Sequence, residues 1–163
     1  MVRKYLHRSV LAALCVATLV LGTSAQMPNP YGAPVTLEQA KKIAAPAMAE
    51  AMKNNWNMAV AIVDPSGNLV YYEKMDATQL GSGNFAIEKA RSAALFKRPT
   101  KAFQDTLSGG GDGLRVLKVS GAIPVEGGLP ILMDGKIIGA IGVSGGASAQ
   151  DAQCAKAGTD VIK

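Results

Sequence analysis

The amino-acid sequence predicts a single domain of the α/β type in the α+β arrangement, an antiparallel sheet of about five strands flanked by helices. Three observations support this prediction. The chain has 163 residues, of which 48% are hydrophobic and 18% charged, a composition typical of one folded domain. Apolar runs of strand length alternate with segments of helical periodicity in the order α-β-β-α-α-β-β-β-α. Most connections between consecutive strands are short, and short connections join antiparallel strands.

The first 25 residues have the pattern of a secretory signal peptide. Three cations, Arg3, Lys4 and Arg8, precede an apolar run, and small residues end the segment at Ala25. We expect cleavage after Ala25 and export to the periplasm or the medium. The alternative is an uncleaved anchor, but a membrane span needs about 20 apolar residues and this run is shorter. No stable membrane anchor is therefore predicted.

Removal of this segment would change the net charge of the protein and the cysteine and histidine residues that remain available for function. The mature protein would keep 14 Lys and Arg residues against 12 Asp and Glu residues, so its net charge of +2 predicts no nucleic-acid partner. Cys154 would be its one cysteine, which excludes an intramolecular disulfide. His7, the single histidine, would be lost. Without it the usual zinc site, Ser-His-Asp triad or His-ligated haem cannot form, and we predict no metal site and no catalytic residue.

The domain is predicted to cover residues 36–163. Residues 26–35 contain three prolines, an asparagine and a glycine, which predicts a linker. Thr36 and Gln39 then have the spacing of a capping box. Apolar residues recur at helical spacing up to Ala51, so the first helix should end near residue 54, with a kink at Pro46.

Two hairpins are predicted from apolar runs separated by turn residues. The first joins residues 58–63 to residues 69–72 through a turn with Pro second and Gly fourth. The second joins residues 129–133 to residues 136–143 through Asp134 and Gly135, a pair that favours the positive φ angles of a tight turn. The apolar content of residues 116–125 predicts a further strand.

Three helical segments complete the prediction. A second helix spans residues 85–98 and ends at Pro99, and Thr100 begins a short helical turn over residues 101–107. A glycine-rich loop follows at residues 108–113. The closing helix begins at Ser148 or Asp151 and runs to the end of the chain.

Five ordered blocks, together covering nearly all of residues 37–163, give the chain a resemblance to the GlcG/HbpS family, which is also called haem-degrading or DUF336. The blocks are Val63, Asp64, Gly67 and Leu69; Lys74 to Asp76; Lys89 to Ala93 with Phe96 to Thr100; Gly127 to Ile131; and Gly139 to Gly146 with Asp151, Cys154 and Ala155. The resemblance implies a profilin-like or PAS-like fold and an oligomeric assembly. It also implies that haem or a corrinoid binds to some members.

The candidate ligand-binding residues are Met75, Asp76, Lys89, Arg98, Thr100, Ser144 and Gly145. Met75 and Asp76 lie in a block of the resemblance, and Thr100 matches a threonine that the family places near bound haem. The Thr100 hydroxyl has a second interpretation as the cap of the helical turn that follows. Backbone N–H groups at Ser144 and Gly145 would suit an anion at the start of the last helix, although a simple capping turn is the favoured interpretation.

Four cations in and after the second helix, Lys89, Arg91, Lys97 and Arg98, have two interpretations. They form a clamp for propionate or phosphate groups, or they are a solvated face. If haem binds, the chain offers no histidine as an axial ligand after cleavage. Met75 and Thr100 are then the favoured candidates, and the iron should be high-spin.

Two functional hypotheses of different classes follow. The first is an exported, non-catalytic binding protein for haem or a related tetrapyrrole, with no partner other than this small molecule and further copies of the chain. The second is an enzyme that degrades haem or acts on a small organic acid. Asp64, Asp76 and Glu88 are available as acids or bases, but nothing in the sequence pairs them. A homo-oligomer is expected because long apolar strands in so small a domain need cover.

Overall fold

The computed structural model describes residues 28–162, so the predicted signal peptide lies outside the described residues. The described chain forms one antiparallel sheet flanked by helices, which confirms the predicted fold class. In chain order the elements are α1 (Leu37–Lys53), β1 (Ala59–Val63), β2 (Leu69–Lys74), α2 (Ser82–Leu95), α3 (Lys101–Ser108), a 3-10 helix (Gly111–Lys118), β3 (Gly128–Met133), β4 (Lys136–Ser144) and α4 (Ser148–Thr159).

The sheet has the strand order β2-β1-β4-β3, with every neighbouring pair antiparallel. β1 and β4 lie in the centre and are almost entirely buried, whereas β2 and β3 form the edges. Both predicted hairpins are present. In the second, Asp134 and Gly135 have φ angles of 51° and 72°, as the turn requires. In the first, one carboxylate oxygen of Asp64 accepts the N–H groups of Ser66 and Asn68.

The predicted strand over residues 116–125 is wrong, and the described sheet therefore has four strands instead of about five. Its first residues belong to the 3-10 helix, where Leu114 and Leu117 are exposed. Gly121 has a φ of 82°, and Pro124 has no N–H to donate to a neighbouring strand. These two residues break the extended conformation that the apolar composition alone suggested.

Helix ends follow local signals in most places. In the α1 capping box, Gln39 N–H donates to the Thr36 hydroxyl and the Gln39 side chain accepts from Thr36 N–H. The helix continues through Pro46 and ends as predicted, with Asn54 at its C-cap. α2 starts and ends three residues before the predicted bounds. Lys97 beyond it has a left-handed φ of 54°, which turns the chain ahead of Pro99.

The two faces of the sheet bury different kinds of side chain. Val60 and Ile62 of β1 belong to the core that also contains residues of α1 and α4, such as Ile43 and Cys154. The opposite face packs on α2 and is built from small residues: Ala59, Ala61, Val63, Ala86, Ala90, Ala93, Ala94 and Ala140. A Cβ atom at Gly142 would overlap the carbonyl oxygen of Ala86. The absence of side-chain bulk therefore allows α2 to lie close to the sheet.

The described part of the segment predicted as a linker lies against β4. Tyr31 forms a parallel bridge with Ile137, which lies beyond the last paired residues of β1 and β4. Gly32 N–H donates to the Ile137 carbonyl at 2.8 Å, and Ile137 N–H donates to the Pro30 carbonyl at 2.8 Å. The Tyr31 hydroxyl donates to the Ala94 carbonyl at the end of α2. These bonds fix residues 30–32 beside the start of β4.

Candidate functional site

A surface groove lies beside the edge strand β3, and we call it the β3 groove. Its volume is about 480 Å³, within the ordinary range for small-molecule sites. The start of the described chain, the turn before α3, strands β3 and β4 and the end of α4 all contribute to it. The lining residues are Pro28, Asn29, Lys97, Pro99, Leu129, Pro130, Leu132, Ile137, Lys156 and Thr159.

The β3 groove combines an apolar lining with two cations. Leu129, Pro130 and Leu132 supply apolar surface, and Leu132 is 41% exposed. The Lys97 amine lies 4.1 Å from the centroid of the Tyr31 ring. The Lys156 amine is 2.6 Å from a carboxylate oxygen of Asp160, in a solvent-exposed pair whose mutual attraction is weak. The groove is therefore suited to an apolar molecule that carries carboxylate groups.

Lys89, a predicted ligand-binding residue, is completely buried and forms an ion pair with Asp151. Its amine lies 2.6 Å from Asp151 Oδ2 and donates to the Val143 carbonyl at 3.1 Å. The Phe85 ring lies on another side of the amine, with its centroid 5.0 Å away. Asp151 Oδ1 accepts Gly146 N–H at 3.0 Å. The prediction of a solvated face is thus wrong for Lys89, and its amine is committed to interior partners.

Burial and pairing act in opposite directions on this ion pair. Burial lowers the pKa of Lys89, and the hydrogen bond and charge of Asp151 oppose that shift. Burial likewise raises the pKa of Asp151, against the hydrogen bond and charge of Lys89. Each charged side chain is therefore stabilised inside the protein mainly by the other.

Thr100 lies next to this pair. Its hydroxyl forms a hydrogen bond with the backbone of β3 and does not cap a helix. It occupies the N-cap position of α3, but its side chain makes no capping bond. Its buried hydroxyl instead accepts Gly128 N–H at 2.9 Å. A Cβ atom at Gly127 would lie 2.9 Å from the Lys89 amine, and one at Gly128 would lie 2.6 Å from Thr100 Cγ2. The predicted capping role is therefore wrong, and the two glycines leave room for Lys89 and Thr100.

The other predicted site residues are dispersed. Arg98 is exposed, its Nε donates to the Phe96 carbonyl, and its guanidinium lies 5.5 Å from the Phe103 ring centroid. Met75 packs against the core, whereas Asp76 is exposed. Ser144 and Gly145 lie at the far end of β4 beside two smaller hollows of about 300 and 360 Å³.

Sequence reasoning grouped residues that the fold separates. Lys89 and Thr100 meet at Gly127 and Gly128, but none of the seven candidates lines the β3 groove. Lys97 of the groove belongs to the cation stretch noted in the sequence, and Pro99 and Leu129 fall in blocks of the resemblance. Nothing in the sequence pointed to Lys156, which reaches the groove only through the packing of α4.

Cys154 is buried, and burial raises the pKa of its thiol to about 11. The thiol is therefore protonated and unreactive at neutral pH. Among residues 28–162, no group of three His, Cys, Asp or Glu side chains could hold a metal ion. In the same range, no helix has the length and apolar character of a membrane span.

Comparison with known proteins finds one family along most of the chain. The family described as haem-degrading protein HbpS-like matches residues 35–160. Protein GlcG of Escherichia coli K12 is 39% identical over 109 residues, which cover 66% of this chain and 78% of GlcG. The crystal structure of a double mutant of Streptomyces reticuli HbpS is 29% identical with a TM-score of 0.74, covering 81% of this chain and 89% of HbpS. The crystal structure of a complex of PduOC with haem is 26% identical with a TM-score of 0.71, covering 80% and 96% of the two chains.

Replacing Lys89 by Met should leave Asp151 buried without its cation and destabilise the fold by about 3–5 kcal/mol at neutral pH. Because burial raises the pKa of Asp151 above its ordinary value of 3.8, the folded variant binds its proton more tightly than the unfolded chain. Its stability should therefore fall as the pH rises from about 4 through the folded pKa. Denaturant unfolding across this pH range measures the effect.

Two comparisons make this experiment specific. The double variant Lys89→Met with Asp151→Asn should recover most of the lost stability, because no charge is left buried. Lys101→Met, which removes a pair with Asp105 that is half exposed, should change stability little. A loss in Lys89→Met that is the same at every pH would contradict the ionic explanation.

Proposed function

This chain belongs to the HbpS-like family, and we propose that it is a non-catalytic binding protein for haem or a related tetrapyrrole. The β3 groove carries the proposal, because it joins an apolar lining to the amines of Lys97 and Lys156. A tetrapyrrole such as haem is a flat apolar ring with carboxylate side chains, so its two parts match the two parts of the groove. The relative PduOC, which forms a complex with haem, supports the same ligand class.

The groove-lining side chains define how such a ligand would be held. Leu129, Pro130 and Leu132 would contact the ring, and the two lysines would pair with its carboxylates. Bound haem would supply a redox-active iron. No His, Met or Cys is among the groove-lining residues, so we expect a high-spin ferric spectrum and an affinity that depends on ring burial and on charge.

The enzymatic alternative, haem degradation or action on a small organic acid, has less support. The groove-lining side chains include no carboxylate, imidazole or thiol to act as a base or nucleophile. Lys89 and Asp151, the buried titratable pair, do not line the groove and hold each other. The family is described as haem-degrading, and titration of the protein with ferric haem distinguishes the enzyme from the binding protein.

Titration of the purified protein with ferric haem should give a saturable absorbance change whose affinity falls as salt is added. Replacing Lys97 and Lys156 by Gln should weaken binding about 5- to 30-fold and flatten the salt dependence, because exposed ion pairs are individually weak and screened. The matched control replaces Lys42 and Lys118, two exposed lysines outside the groove, by Gln. It should bind haem as the unchanged protein does.

Two results would contradict the proposal. Equal weakening in both double variants would mean that the groove is not the site. Progressive loss of the absorbance band with iron release, after addition of a reductant and oxygen, would show that the protein is an enzyme.

We also propose that the protein is exported, on the basis of the cations, the apolar run and the small residues ending at Ala25. Mass spectrometry of the mature protein should find Gln26 as its first residue. A membrane-bound product that retains Met1 would contradict export with cleavage.

A homo-oligomer is the third part of the proposal. β3 is an edge strand with Leu132 exposed, and the 3-10 helix exposes Leu114 and Leu117 at 54% and 62%. Uncovered edges and apolar side chains favour association. Light scattering at micromolar concentration should give a multiple of the chain mass, unchanged by reductant because Cys154 is buried. A monomer mass would contradict this assembly.

A further inference from the structure

Ser82 is a buried polar residue whose hydroxyl has no partner. It is the first residue of α2 and is 2% exposed, and its oxygen makes no hydrogen bond in the described chain. Buried hydroxyl groups are nearly always paired, because an unpaired one loses its bonds to water without compensation. The Ser82 hydroxyl therefore points to a group that binds at this place.

A cavity of about 300 Å³ opens at Ser82, and we call it the α2 cavity. Its lining residues are Gln79, Gly81, Ser82, Phe85 and Ser144. Ser144, at the end of β4, is 4% exposed. Ile137 of the β3 groove lies seven residues earlier on the same strand, a separation of about 23 Å in extended chain. The α2 cavity is therefore distinct from the proposed tetrapyrrole site.

The α2 helix begins at this cavity, where Gly81 and Ser82 are lining residues, and no side chain compensates the positive end of the helix. Its first turn has no acidic residue, and Gly81 at the N-cap supplies no side-chain cap. Within the described chain, the N–H groups of Gly83 and Asn84 have no backbone acceptor. α4 differs, because the Gln150 side chain accepts Ala147 N–H and Asp151 accepts Gly146 N–H. At α2 neither of the two N–H groups has such an acceptor.

We propose that the α2 cavity binds the carboxylate group of a small monoanion. A carboxylate accepts hydrogen bonds from hydroxyl and N–H donors, which are what Ser82, Ser144 and the start of α2 present. No Lys or Arg side chain lines the cavity, and the helix end offers about half a positive charge. This balance suits a single negative charge better than a phosphate dianion. The Phe85 ring provides apolar surface for the body of the ligand.

The test is a titration of the intact protein with sodium acetate and with sodium benzoate at constant pH and ionic strength. The chemical shifts of the backbone amides, measured by NMR, report binding. Saturable shifts should concentrate at Ser82, Gly83 and Asn84, and benzoate should also move the signals of Phe85. Phosphate and chloride at equal concentration should give no saturable shift there. Ser82→Ala should weaken binding about tenfold or more, because a hydrogen bond to the charged carboxylate is lost.

Ser148→Ala is the matched control, because Ser148 is also the first residue of a helix but does not line the cavity. It should bind as the unchanged protein does. Gln79→Ala, at an exposed side chain, provides a second variant if Ser82→Ala fails to fold, and it should weaken binding too. The proposal is overturned if neither carboxylate gives saturable shifts, if phosphate or chloride shifts the same amides, or if both serine variants lose binding equally. None of these outcomes depends on haem binding.

Discussion

The buried pair of Lys89 and Asp151 is the interaction on which the rest of the structure depends. Lys89 lies on α2, which covers one face of the sheet, and Asp151 lies on α4, which helps to cover the other. Two charges removed from water must find partners on every side. The Val143 carbonyl, the Gly146 N–H and the Phe85 ring meet that requirement. The pair thereby fixes both helices relative to the end of β4.

The two ends of β4 differ in how closely they are packed. At one end the ion pair, Thr100 and the close contacts of Gly127 and Gly128 leave little freedom for rearrangement. At the other end, the edge strand β3 and residues 28–32 leave an open apolar groove. A closely packed interior beside an open groove is what the proposed binding function requires.

The sequence predicts what depends on neighbouring residues and misses what depends on distant ones. The α1 capping box and the turn at Asp134 and Gly135 are local, and both are present. The burial of Lys89 depends on a partner 62 positions away, so helical periodicity could not distinguish it from a solvated cation. The groove likewise depends on the fold, which brings residues as distant in the chain as Lys97 and Lys156 to one surface. The strand predicted over residues 116–125 is absent. The prediction rested on the apolar content of the segment, whereas Gly121 and Pro124 prevent an extended conformation there.

The glycines in the five sequence blocks shared with the family explain why those blocks predict the fold better than they predict the ligand. A Cβ atom at Gly139 would overlap the Val63 carbonyl, and one at Gly142 would overlap the Ala86 carbonyl. Thr100 and Asp151, also in these blocks, serve internal hydrogen bonds. The blocks therefore record how the sheet and helices approach one another. What the protein binds depends instead on side chains that face the openings, and several of these, such as Leu132 and Lys156, lie outside the blocks.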